Sequence, residues 1–187
     1  MLRRLFGFIK RLHLKMLGPG KRAKYMRKHM HFVGNNVLLY TTHFGTEPYL
    51  ISLHDNCVCA ADVKFITHDI SVFNLSRQLE DGTQLDKVGS IELFENCFIG
   101  AYSVLMPNTS VGKNSIVAAG SVVTKRIPDG EVWGGNPAKF IMKTQEYIEK
   151  MVETNKSFPW MPEINKLSKK ELKTMREKYF FDKECKL

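Results

Sequence analysis

His68 is the last histidine in the chain and stands in the segment FITHD, Phe65 to Asp69, directly ahead of a polar stretch, SVFNLSRQLEDGTQLDKVGS. An imidazole is the side chain best suited to take up and release a proton near neutral pH. Because no histidine follows it, the later part of the chain offers none of the converging imidazoles that a catalytic zinc site uses. Cys57, Cys59, Cys97 and Cys185 form neither a C-x-x-C pair nor a metal-ligand spacing. With no secretory apolar segment ahead of them, they are expected to be reduced thiols in a cytoplasmic setting, with no disulfide and no metal.

The elements that must position His68 follow from a repeat. Leu93, Ile99, Leu105, Val111, Val117 and Val123 recur at every sixth position, and Cys97, Ser103, Thr109, Ser115 and Ser121 stand four places after the first five. A period of six is neither the 3.6 of a helix nor the 2 of a flat strand. A three-sided coil accounts for it: six residues per side, an aliphatic side chain pointing inward from each, a small residue at each crowded corner, and turns stacked as parallel sheets. A weaker copy places Leu53, Cys59 and Phe65 at the aliphatic position, with Cys57 and Val63 four places on, and Val33 and Leu39 begin it. The register breaks between Phe65 and Leu93, where the polar stretch carries an Asp81-Gly82 turn signal. A long loop leaving a repetitive scaffold is expected to be functional, the alternative being a tolerated insertion.

The net charge of +9 is carried at the ends. Residues 1–30 hold ten Lys/Arg and no Asp/Glu, whereas 31–141 hold seven basic against eleven acidic residues. The remaining eleven basic and eight acidic residues beyond 141 have the mixed pattern of solvated helices, so nucleic acid is not an expected partner. In MLRRLFGFIKRLHLKML the apolar residues Leu2, Leu5, Phe6, Ile9, Leu12 and Met16 fall at helical spacing, and Gly18-Pro19-Gly20 stops the pattern. Too charged to span a bilayer, this segment either packs on its own domain or a neighbouring subunit, or makes a peripheral contact with an anionic membrane surface. The expected organisation is a basic helical extension over 1–30, a coil domain over 31–141 with an extruded loop at 70–89, and C-terminal helices over 142–187. Within the last, Lys143 to Met151 reads as a helix, Ser168-x-x-Glu171 as a capping box, and Phe158-Pro159-Trp160 as an apolar link.

Over roughly Phe32 to Ile141 the chain resembles the hexapeptide-repeat acyltransferases, in particular the maltose, galactoside and surface-polysaccharide O-acetyltransferases. EPYLI (Glu47 to Ile51), FITHD, VAAGSVVTKRIPDG (Val117 to Gly130) and GGNPAKFI (Gly134 to Ile141) carry the likeness. Hexads alone are shared with nucleotide-sugar enzymes, carbonic anhydrases and non-catalytic subunits, whereas THD before a loop together with GNPA after the last coil is far more restrictive. The resemblance implies an all-β solenoid, a left-handed parallel β-helix with an extruded loop and N- and C-terminal α-helices, although that hand runs against the usual crossover rule. It implies a homotrimer, acetyl-CoA as co-substrate without a required metal, and a sugar or glycan hydroxyl as acceptor. His68 then faces a cleft between subunits as the general base of direct transfer, with backbone N–H groups stabilising the oxyanion.

Relatives orient that imidazole with a backbone carbonyl or a carboxylate, and Glu47 is the candidate here, with acceptor binding or turn capping as its other roles. Asp69 is the weaker choice, since adjacent residues of an extended segment face opposite ways. For the coenzyme, the galactoside-type pattern carries over to Ala101, Ala119, Thr124, Lys125 and Lys139. The two alanines, one coil apart, should stack and let a pantetheine arm pass, while the lysines, with Arg126 as an addition, offer cations to phosphates. Trp133 replaces the family's common Ala and either stacks on adenine or covers the coil end. Met142 stands where some relatives have a basic residue, and His54 where a Gly is usual. The competing readings are an amino-sugar or antibiotic acetyltransferase of the same fold and, from another class, a non-catalytic scaffold.

Overall fold

The computed structural model describes residues 12–182. Leu2, Leu5, Phe6, Ile9 and Cys185 lie outside them. Residues 12–16 are helical, and Gly18-Pro19 starts a fresh helix, α1 (Pro19–Met26), with Pro at its first turn where a missing N–H costs nothing. There follow β1 (Phe32–Val33), β2 (Leu38–Leu39), β3 (Ile51–Leu53), β4 (Val58–Cys59), β5 (Lys64–Phe65), a short helix α2 (Val72–Ser76), β6 (Ile91–Leu93), β7 (Phe98–Ile99), β8 (Val104–Leu105), β9 (Thr109–Val111), β10 (Ile116–Val117), β11 (Val122–Val123), β12 (Glu131–Gly134) and β13 (Lys139–Lys143).

From β3 to β11 successive strands join three different sheets in rotation. The first has the order β1-β3-β6-β9, the second β13-β12-β10-β7-β4-β2 and the third β11-β8-β5, every pairing being parallel except β12 with β13. This is the three-sided coil that a six-residue period demands. Leu93, Ile99, Leu105, Val111, Val117 and Val123 are at most 1% exposed, and Leu39, Leu53, Cys59 and Phe65 continue the interior row. The small residues sit at the corners, where Ser103 and Ser121 both donate to the Ala118 carbonyl and Ser115 donates to that of Pro128. A hydroxyl there is compact and serves a carbonyl that the bend takes out of the ladder. Cys57, Cys59 and Cys97 are buried free thiols in the same wall.

Turning a flat side through a corner needs a residue in the left-handed region. Asn36, Asn56, Asn96 and Asn114 supply it at one edge, each with φ between 54° and 61°. Their side chains form a ladder, each amide donating to the next asparagine carbonyl oxygen at 3.2, 3.0 and 3.0 Å. The sequence separations along that ladder are 20, 40 and 18 residues, so the second step contains one coil plus the extruded segment. The register break expected between Phe65 and Leu93 is therefore a loop that leaves and rejoins the same edge.

The ends of the stack are closed differently. Arg22 on α1 is 7% exposed and donates to the carbonyls of Leu14, Leu17, Leu39 and Thr41, and burial lowers its pKa. Arg27 donates to those of Val33 and Gly34. Two cations of the basic N-terminal region thus cover first-coil carbonyls. At the other end β13 turns back antiparallel on β12. The helix expected to begin at Lys143 begins instead at Thr144, because β13 continues through Lys143, and α3 runs Thr144–Lys156.

Two compact units divide between Thr144 and Gln145. In the second, Ser168 and Glu171 make the reciprocal capping box that opens α4 (Lys169–Phe181), and Trp160, 3% exposed, packs on Phe158 and Tyr179 at centroid separations of 4.8 and 5.3 Å.

Two outcomes test this account in urea denaturation at fixed protein concentration. Arg22→Met should cost about 3 kcal/mol, because it strips charged donors from buried carbonyls. Asn96→Gly should cost about 0.5–1 kcal/mol for exposed side-chain bonds, and Asn96→Ala roughly 1 kcal/mol more for its left-handed backbone.

Candidate active site

The third side of the second coil ends at Phe65, and the chain leaves the prism there through Ile66, Thr67 and His68. The loop is pinned where it departs and returns. Gly89 donates its N–H to the Thr67 carbonyl at 2.9 Å, Asp69 donates its N–H to that of Lys87 at 2.8 Å, and His68 pairs antiparallel with Val88. Lys87 Nζ closes the neck on Asp69 Oδ2 at 2.7 Å, and that ammonium with the Ser71 N–H holds the Asp69 carboxyl down at about 2. Asp69 is therefore occupied in fastening the loop.

His68 projects from this neck with its side chain 37% exposed and a carboxylate beside each ring nitrogen. Nδ1 is 3.3 Å from Glu47 Oε1, and Nε2 is 3.2 Å from Asp86 Oδ1. Glu47 comes from the same edge one coil earlier, ahead of the turn Pro48–Leu50. It is the more firmly held, with a side chain 18% exposed against 66% for Asp86. Its Oε2 accepts from the hydroxyls of Thr46 at 2.5 Å and Thr67 at 3.0 Å. Hydrogen bonds from Thr46, then Thr67 and His68, hold its carboxyl below the usual carboxylate range against the opposing effect of desolvation. Glu47 is thus a fixed anion at neutral pH, and an Nδ1–H pointed at it leaves Nε2 as the unprotonated nitrogen, on the side of Asp86.

Gly45 makes this arrangement sterically feasible. Its φ is +69°, and a Cβ there would stand 2.8 Å from both the Phe65 carbonyl oxygen and Thr67 Oγ1. Beside the imidazole lies a cleft of about 880 Å³, lined among others by Tyr25, His29, Phe44, Phe65 and Thr67. Its size falls in the range of small-molecule sites.

The residues expected to hold a coenzyme divide between two edges of the prism. Ala101 and Ala119 lie where the second side meets the third. They stack as their spacing requires, Gly120 donating its N–H to the Ala101 carbonyl at 2.8 Å. The wall there has no spare room, since a Cβ on Gly100 would come 2.4 Å from the Ala119 nitrogen. Lys139, opposite Gly134 in the β12–β13 pair, is exposed toward the end of that same edge. Thr124 and Lys125 are instead on the edge that carries His68, two coils further on. Lys125 Nζ lies 5.2 Å above the Trp133 ring, and Trp133, 8% exposed with its indole N–H given to Glu131 at 2.7 Å, covers the coil end. That decides between the two roles open to Trp133: a ring so buried has no face to offer adenine. His54 stacks on Phe94, lies tilted against Phe32 and pairs with Glu92 at 2.9 Å, a lateral column on the first sheet away from His68.

Sequence reasoning did not find Asp86, Thr46 or Thr67. The threonines adjoin residues already singled out, but nothing in their spacing shows that they share Glu47. Asp86 comes to His68 only because of the path the loop takes. Among the described residues no group of three His, Cys, Asp or Glu is placed to hold a metal ion.

Comparison with known proteins agrees with this architecture. The bacterial transferase hexapeptide model (six repeats) matches residues 90–125. Protein CapG of Staphylococcus aureus is 36% identical over 148 residues, which cover 78% of this chain and 84% of that protein. Galactoside O-acetyltransferase of Lactococcus lactis subsp. lactis (strain IL1403) is 37% identical over 115 residues, covering 57% of this chain and 52% of that enzyme, so the match spans about half its length. A solved galactoside acetyltransferase in complex with coenzyme A shares the fold at a TM-score of 0.55, with 21% identity, over 78% of this chain and 82% of that one. Hexads, THD before a pinned loop, GNPA after the last coil, and a relative matched over most of its length together make the chain a member of the hexapeptide-repeat acyltransferase family.

Proposed function

We propose that the protein is an acetyl-CoA-dependent O-acetyltransferase that acylates a hydroxyl of a sugar or glycan. The observation that carries this reading is the ordered set Thr46/Thr67–Glu47–His68 at the mouth of the loop. A sugar hydroxyl is a poor nucleophile at neutral pH while a thioester is already activated, so the missing component is a positioned base. With Nδ1–H directed at Glu47, Nε2 takes the hydroxyl proton as the oxygen attacks the thioester carbonyl. The new C–O bond forms as the carbonyl electron pair moves to oxygen. When that pair returns and the C–S bond breaks, the imidazolium gives its proton to the departing thiolate. Glu47 balances the positive charge of the ring between those two moments.

The placement of the coenzyme residues supports a homotrimer. In one prism Ala101, Ala119 and Lys139 occupy a different edge from His68, so the base of one subunit needs the small-residue edge of a neighbour beside it. The second sheet also carries an outward apolar row in register, Leu38, Val58, Phe98 and Ile116, a face suited to burial between subunits. Ala101 and Ala119 would flank the pantetheine arm, and Thr124, Lys125 and Lys139 its polar end. The shared fold supports the left-handed winding, and the buried free thiols are in keeping with a cytoplasmic protein.

His68→Ala should lower turnover by roughly 100-fold or more while leaving CoA affinity nearly intact. Acetyl transfer to a panel of glycosides, followed with a thiol reporter, and calorimetric titration with CoA measure the two. Activity that survives the substitution, or a large loss of CoA binding, would remove His68 as the base. Glu47→Gln keeps the shape and removes the charge. It should lower kcat by about 10- to 100-fold with little change in KM for acetyl-CoA.

A further inference from the structure

Transfer chemistry accounts for one of the two carboxylates beside His68. Asp86 is the other, and it stands 3.2 Å from Nε2, the nitrogen to which the proposed mechanism gives the hydroxyl proton. Its place is set by the neck of the loop, since the next three residues are all fastened: Lys87 by its carbonyl and its ammonium to Asp69, Val88 by its bridge to His68, and Gly89 by Thr67. The adjoining cation does not neutralise it, because Lys87 is given to Asp69.

A neutral imidazole has a single N–H. With that proton directed at Glu47, Nε2 presents a lone pair toward an anion, and neither supplies a donor to the other. A bound acceptor that displaces water from the two groups takes over as donor to both. The reacting hydroxyl has one proton, which goes to Nε2, so a direct bond to the carboxylate, which at 66% exposure is otherwise met by water, takes a second donor on the same molecule. Resting on the transfer reaction proposed above, we infer that Asp86 is a specificity-determining residue that accepts a hydrogen bond from a hydroxyl adjacent to the one acylated. The acceptor is thus a vicinal diol rather than an isolated alcohol, and a carboxylate or phosphate on the neighbouring carbon is rejected by like charge.

The test uses the full-length protein, acetyl-CoA, methyl galactopyranoside, its monodeoxy derivatives and methyl galacturonoside, with the acetylated position located by NMR. For the wild type, removing the hydroxyl next to that position should lower kcat/KM about tenfold, and in Asp86→Ala the same removal should cost less than about twofold. Equal penalties in the two proteins would overturn the proposal. Reaction of His68 with diethyl pyrocarbonate, followed by peptide mass mapping with the other histidines as internal controls, tests the contact without turnover. Removing the carboxylate should speed it by roughly threefold or more. An unchanged rate would sink the role of Asp86 and leave the transfer reaction standing. Absence of transfer from acetyl-CoA to any hydroxyl by the wild type would sink the transfer reaction itself.

Discussion

Every coil of this protein must lay its inward side chains directly on those of the coil before it. Because parallel strands pair at a fixed separation of about 4.8 Å, the interior is a column of aliphatic side chains in register, and no side may gain or lose a residue without tilting all that follow. That constraint explains the strict hexads from Leu93 to Val123 and the full burial of their inward members. It also explains the corners. A chain that turns sharply three times per coil needs left-handed residues at fixed places, and at one of the three corners Asn36, Asn56, Asn96 and Asn114 provide them while linking their side chains along that edge.

The same constraint makes an excursion possible. An extra segment is tolerated only at a corner, and only if the chain re-enters where it left. The loop after Thr67 meets both conditions through the bonds of Thr67, Asp69, Lys87 and Gly89. His68 therefore stands on rigid backbone despite belonging to a loop. Glu47 reaches it because the first coil's corresponding corner lies directly beneath, and Thr46 and Thr67 fix Glu47 from two successive coils. The chemistry thus draws its geometry from the stacking and its polarity from the one place where the stacking is interrupted.

Much of this could be read from the chain itself. Period six named the prism, the break between Phe65 and Leu93 located the loop, and the step of about one coil from Glu47 to His68 paired the carboxylate with the imidazole. What escaped depends on contacts between segments whose relative path no local pattern encodes. Asp86 looks like any polar loop residue until the loop is folded back. Arg22 and Arg27 look like part of a cationic surface, yet each is spent on first-coil carbonyls, because an α1 helix laid on the stack brings guanidinium forks to unpaired acceptors. Trp133 was ambiguous because the choice between stacking on a ligand and plugging the bore turns on which way β12 faces. The helical pattern places the start of α3 one residue early because strand β13 claims Lys143 first.

A solenoid exposes unpaired strand edges at its two extremities, and like edges invite endless head-to-tail growth into fibres. Here Arg22 of α1 and Arg27 just after it occupy carbonyls at one extremity, and at the other the chain reverses so that β13 presents an antiparallel neighbour to any incoming parallel strand. Strand addition along the axis is hindered at both poles, which leaves the flanks of the prism as the faces open to association.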